Sequence, residues 1–148
     1  MIMKKLVLLL VSVFTIQLAS AGNDKPITFE QLPAAAQQFV KKHFASEKVA
    51  FAKEDSELFD TSYEVMFASG SKVEFDKKGA WTDIQCRQSQ VPAGVVPQAI
   101  QKFVADRYPD AKILKLEKDR YSYEVKLSNR WEIKFDTKFN VIDMDSDD

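Results

Sequence analysis

Two periodicities of apolar and polar residues alternate along this chain. Residues 61–68 place Thr61, Tyr63, Val65 and Phe67 on one parity and Ser62, Glu64, Met66 and Ala68 on the other. That is the period of two of a half-buried strand. Residues 72–76 alternate again, with Val73 and Phe75 inward and Lys72, Glu74 and Asp76 outward. Ser69-Gly70-Ser71 reads as a tight turn between them. Asp76-Lys77-Lys78-Gly79 reads as a second, with Gly79 where a positive φ is needed. A strand over 81–87 follows, and one over 49–53 comes earlier, before a polar loop at 54–60. Upstream the period lengthens. Leu32, Ala36, Phe39, Val40 and Phe44 recur every three or four residues, which predicts a helix over 33–44 with one apolar stripe. Gln37, Gln38, Lys41 and Lys42 then face water. Thr28 with Gln31 fits a capping box, and Pro33 suits a first helical turn. Residues 23–26 read as a polar lead-in.

The same order returns downstream. Tyr123-Glu124-Val125 and Ile133-Lys134-Phe135-Asp136 repeat Tyr63-Glu64-Val65 and Val73-Glu74-Phe75-Asp76 at a spacing of 60. From 63–84 against 123–144, seven of twenty-two positions are identical. Leu32-Pro33 with Gln37, Phe39, Val40 and Phe44 answers Val96-Pro97 with Gln101, Phe103, Val104 and Tyr108 at a spacing of 64. Self-similarity of this kind outranks local signals. It predicts a linker at 88–96, a helix over 97–108, a turn at Pro109-Asp110, and strands near 112–118, 121–127, 130–136 and 140–144. In the central hairpin Tyr121, Tyr123, Val125 and Leu127 face Trp131, Ile133 and Phe135. Phe139 stands where Gly79 stood, so that turn is expected to lean on Asn140.

Each half offers a sheet with one apolar face and a helix with one apolar stripe to cover it. About 60 residues is near the lower limit for a stable core, so the halves are expected to share one. The expected fold is α+β: a tandem repeat of a helix and a four-stranded antiparallel meander. It forms one continuous curved sheet of up to eight strands with two helices on one face. Phe39, Val40, Phe75, Phe103, Val104, Ile133 and Phe135 would be buried together. The other face, lined by Glu64, Met66, Glu74, Glu124, Lys126, Glu132 and Lys134, would stay wet, as antiparallel sheets allow.

Residues 1–21 carry Lys4 and Lys5, an apolar run over 6–18 and Ala19-Ser20-Ala21, the layout of a secretory signal. The run falls short of the ~20 residues a membrane span needs. The mature chain is then 22–148, with halves at 22–88 and 89–148, in the periplasm or outside the cell. Loss of Lys4 and Lys5 leaves 19 basic residues against 22 acidic, a formal charge of −3. No basic patch marks a nucleic-acid partner. Cys86 is the single cysteine, so no internal disulfide forms. It alternates with Thr82 and Ile84, which reads as a strand cysteine facing a core. An intermolecular disulfide or a reactive thiol is the alternative.

The run Leu32-Pro33, Phe39-Val40, Phe44, Tyr63-Glu64-Val65, Val73-Glu74-Phe75-Asp76, Gly79-x-Trp81, Cys86 and Val91-Pro92 resembles the PepSY-like, β-lactamase-inhibitor-like family of small exported proteins, found mainly in Bacteroides-type bacteria. The resemblance covers essentially the whole mature chain. It implies helix-plus-meander units in one curved sheet with helices on its convex side. For activity it implies a protein that grips an enzyme, a hydrolase or peptidase, through its concave sheet. The disulfides of the inhibitor that lends the family its name are missing here, and none of its inhibitory residues carries over.

Chemistry beyond binding finds little support. His43, the only histidine, falls within the helix stripe and reads as a helix-end side chain favoured by the C-terminal dipole. No nucleophile motif flanks Cys86 to pair with it. The four glycines are scattered, which excludes a phosphate loop, and zinc lacks ligands. Asp143-x-Asp145-x-Asp147-Asp148 opens like a calcium loop but lacks its glycine and its twelfth-position glutamate. No cofactor is expected. The expected function is a non-enzymatic binding protein in the cell envelope, docking another protein through the open sheet face. The alternative is a cation- or small-ligand-binding module that uses the acidic face or tail. Trp81 is an anchor candidate: its alternation with Asp83 puts it on the open face, and packing under the turn is the equal alternative. Trp131 shares the alternation of Ile133 and reads as core. An exposed edge strand could also pair two copies.

Overall fold

The structure is a computed structural model that describes residues 24–146. The signal segment at 1–21 and the tail positions Asp147 and Asp148 lie outside the described residues. Among the described residues, β1 (Asp24–Ile27) and a 3-10 turn (Phe29–Gln31) lead into α1 (Ala34–His43). The meander β2 (Val49–Glu57), β3 (Asp60–Phe67), β4 (Lys72–Phe75) and β5 (Trp81–Gln85) follows. Then come α2 (Gln98–Arg107) and a second meander, β6 (Ile113–Lys118), β7 (Ser122–Leu127), β8 (Trp131–Asp136) and β9 (Val141–Ser146). The nine strands make one antiparallel sheet in chain order, left open because β1 and β9 do not meet. The class is α+β.

The sheet has one strand more than the alternation predicts. Residues 24–27, expected as a lead-in, pair antiparallel with β2, and Lys53 Nζ reaches Asp24 Oδ2 at 3.0 Å. Nothing in Asp-Lys-Pro-Ile alternates; the free edge of β2 makes it a strand. The loop expected at 54–60 is also mostly strand. Glu54, Asp55 and Ser56 lie opposite Tyr63, Ser62 and Thr61, so hairpin pairing overrides their poor strand propensity. Tyr121, expected to face the core hairpin, is 73% exposed instead. Asp119 Oδ1 accepts the backbone N–H groups of Tyr121 and Ser122 at 2.8 Å, which keeps Tyr121 in the turn.

One row of apolar residues crosses the sheet in register: Ile27, Ala52, Val65, Val73, Ile84, Leu116, Val125, Ile133 and Met144. Both helices lie on that face. Phe39 and Phe44 of the α1 end meet Phe75 edge-on at 5.7 Å and Phe67 stacked at 5.0 Å. On α2, Phe103 meets Phe135 edge-on at 5.6 Å, and Tyr108 stacks on Trp131 at 6.1 Å. Val40, Phe75, Val104, Ile133 and Phe135 are buried as expected, with Phe39 and Phe103 half-buried against them. Each fully buried side chain of this kind contributes ~1.5–3 kcal/mol.

The turns after β4 and β8 share one device. Asp76 Oδ1 accepts the N–H groups of Lys78 and Ala80, and Asp136 Oδ1 those of Lys138 and Asn140. Gly79 has the expected positive φ, +89°. In the second turn Phe139 itself takes φ +68°, where Asn140 was expected to relieve it. Its ring lies 5.3 Å from that of Tyr123, a contact that offsets the backbone strain.

Candidate functional site

The face opposite the helices carries no covering element among the described residues, and strand register arranges it in rows. One row runs Lys53, Glu64, Glu74, Asp83, Glu117, Glu124, Lys134, Asp143 across eight strands. Five consecutive members are carboxylates. The next row runs Phe51, Met66, Lys72, Gln85, Lys115, Lys126, Glu132, Asp145. Adjacent strands lie only ~4.8 Å apart, so the rows are close-packed ladders of charge.

Register therefore brings together seven of the residues expected here: Glu64, Glu74, Glu124 and Lys134 in the first row, Met66, Lys126 and Glu132 in the second. It adds Lys53, Glu117 and Lys115, which sequence reasoning left out, and Lys72 and Asp83, which alternation had put on this side without naming them as site residues. Extending the period of two through the second half's first strand would have found Glu117 and Lys115. Trp81 is not on this face. A bulge between β4 and β5 sets Trp81 opposite Phe75 and Asp83 opposite Glu74, with Thr82 as the extra residue. The alternation that joined Trp81 to Asp83 is broken there, and the indole packs against the core cluster. Lys118 Nζ sits 4.6 Å from its ring centroid.

The lysines pair locally. Lys72 Nζ lies 3.6 Å from Glu74 Oε2, Lys115 Nζ 2.6 Å from Glu117 Oε2, and Lys126 Nζ 4.0 Å from Glu132 Oε2. The bond to Glu117 raises the pKa of Lys115. Asp83, between Glu74 and Glu117, receives no lysine, and its Oδ1 is buried without a hydrogen bond. Burial first, then the Glu117 charge, pushes its carboxyl up to about 6. Glu124 is also raised, by burial and then by Glu117 and Glu132. Two depressions border this centre. One of about 260 Å³ is lined by Gln85, Lys115, Glu124, Lys126 and Glu132, and one of about 180 Å³ by Glu74, Asp83, Glu117 and Lys134, among others.

This array can bind charge. His43 closes α1 with its ring 4.8 Å from Phe39, and burial, then Lys42, lowers its pKa. Cys86 is buried and free, and burial raises its thiol pKa, which disfavours a nucleophilic thiolate. Among the described residues, no three His, Cys, Asp or Glu side chains are grouped to hold a metal ion. No helix among them is long and apolar enough to cross a membrane.

Comparison with known proteins places the chain. The profile of a family described as "Putative beta-lactamase-inhibitor-like, PepSY-like" matches residues 61–143. A solved structure described as a "putative calcium-regulated periplasmic protein" of Bacteroides thetaiotaomicron is 57% identical, with a TM-score of 0.82, over 83% of this chain and 97% of that one. A periplasmic protein of Bacteroides vulgatus is 60% identical, with a TM-score of 0.82, over 84% of this chain and 98% of its own. A second from the same organism, described as of unknown function, is 37% identical with a TM-score of 0.78 over 83% and 99%. No curated protein matches the chain. The chain thus belongs to the PepSY-like, β-lactamase-inhibitor-like family, one that is inhibitor-like or of unknown function and not a known enzyme family, and it is a periplasmic protein.

Proposed function

We propose that this protein is a non-enzymatic binding protein whose uncovered sheet face docks another protein of the cell envelope, in the manner of an inhibitor of a hydrolase or peptidase. One observation carries the reading: five carboxylates stand in register at the centre of a face that no element covers among the described residues. Like charges placed directly opposite are destabilising, so the array is an expense for the free molecule that a cationic partner surface would relieve. We take 22–88 and 89–148 as two copies of one unit, each a helix followed by a four-stranded meander, whose fused sheets make the face broad enough for a protein. Edge pairing of two copies is the weaker mode. Pro26 removes a donor from β1, and Asp143 and Asp145 place charge on β9.

The test is capture from envelope extract with the mature chain as bait. Glu64→Lys, Glu117→Lys and Glu124→Lys on one molecule should abolish capture, and Lys41→Glu on the helix surface should leave it intact. Equal capture by all three baits refutes the proposal. A second reading, weak cation binding on the acidic face, draws on the relative described as calcium-regulated. Calorimetric titration with calcium decides it: absence of both heat and thermal shift removes that reading.

A further inference from the structure

The least balanced group on the open face is Asp83. On β4, Glu74 stands directly opposite it, and Lys72, diagonal to it, is drawn to Glu74 at 3.6 Å. On β6, Glu117 stands directly opposite, and Lys115 is drawn to Glu117 at 2.6 Å. Its own strand contributes Thr82, whose hydroxyl is 3.4 Å from the Glu74 carbonyl oxygen, and Gln85. One strand further out, Glu64 faces Lys53 and Glu124 faces Lys134. Lys118, at the end of β6, lies over Trp81. Lys72 and Lys115 each hold an ion pair with another carboxylate and only partly offset the Asp83 charge, and Asp83 faces a carboxylate on each side. Its Oδ1, buried and without a partner, is where an uncompensated charge is most costly.

We propose that Asp83 is a proton-operated control on the open face: mild acidification adds a proton there and removes the charge at the centre of the carboxylate row. The consequence for a partner rests on the docking reading above; the proton site itself does not. Ionised, Asp83 completes a run of five negative charges that attracts a cationic surface. Protonated, it splits the run into two pairs, Glu64 with Glu74 and Glu117 with Glu124, and relieves the opposition on both sides. Burial, then the Glu117 charge, pushes the folded carboxyl up to about 6, against 3.8 for the free group. Its folded pKa is raised, so folding takes up a proton between those values. Stability is therefore highest at the acidic end and falls as pH rises from about 4 to about 6.

The experiment follows the Asp83 side-chain carboxyl by carbon-13 NMR on the mature chain from pH 3.5 to 8. A chelator is present, so that a divalent cation does not compete with the proton. The expected midpoint is near 6; a midpoint near 4 overturns the proposal. In parallel, Asp83→Asn should raise Tm above the unchanged chain by about 3–6 °C at pH 7.5, after discounting for partial solvent exposure, and leave it unchanged near pH 4. A gain independent of pH overturns it. Hexalysine supplies the cationic probe. Its affinity should fall about threefold from pH 7.5 to 5 for the unchanged chain and clearly less for Asp83→Asn, where only the raised Glu124 still titrates. A normal titration with no pH-dependent binding refutes the control while leaving the proton site standing. Absence of hexalysine binding at any pH counts against the docking reading instead.

Discussion

Replacing Gly79 by alanine probes the contact between a hairpin turn and the start of α1. Gly79 sits at φ +89°, a conformation that costs an L-residue ~1–2 kcal/mol. A Cβ there would stand 2.9 Å from Pro33 Cβ, 3.0 Å from the Ala36 backbone nitrogen and 3.1 Å from Ala35 Cβ. None of these can rotate aside, because they belong to the first turn of the helix. Overpacking of this sort costs ~1–3 kcal/mol, while the stiffer unfolded chain returns ~0.4–1 kcal/mol. The net loss expected is about 2–3 kcal/mol, a Tm drop of ~6–15 °C in a domain of this size. Gly70→Ala is the control. Its φ is +95°, but the nearest atom is Arg87 Cδ at 2.9 Å, the far part of an exposed, flexible side chain. That variant should lose only about 1 kcal/mol. Urea denaturation of both variants at pH 7 measures the difference. Equal losses would refute a tight seat of the turn on the helix and leave backbone strain as the whole effect.

Other outcomes follow from the same geometry. Backbone and side-chain bonds from Asn140 lower the pKa of Asp136, so its contribution is present at neutral pH and lost as pH falls below about 4. Asp136→Ala should therefore lower Tm at pH 7 and much less at pH 3; an equal loss at both would contradict this. Cys86 should resist a thiol reagent in the folded chain and react at once in denaturant, and rapid native labelling would show that its burial is wrong. Truncating Ile133 to alanine should cost ~2–5 kcal/mol in urea, because its side chain is fully enclosed; a loss below 1 kcal/mol would argue against a single core.

Most of the strands and both helices were legible because each buries one face, which writes its period into the chain. Val65, Phe75, Val125 and Ile133 announce their side by parity alone. What parity could not carry was any change of count. One extra residue at Thr82 moves Trp81 to the helix side while Asp83 stays on the open side, and nothing local marks it. β1 was equally hidden, since its four residues become a strand only because β2 offers them an unpaired edge.

The open face divides along the same line. The residue order determined that Glu64, Glu74, Glu124 and Lys134 point away from the core, since neighbouring apolar residues had to point toward it. Only the tertiary structure decided that Glu74, Asp83 and Glu117, from three different strands, stand side by side, and that two nearby lysines go to the outer pair. Alternation is a property of one strand and survives in the linear chain. The spacing of charges across strands depends on register and bulges, which are set by pairing between segments up to tens of residues apart.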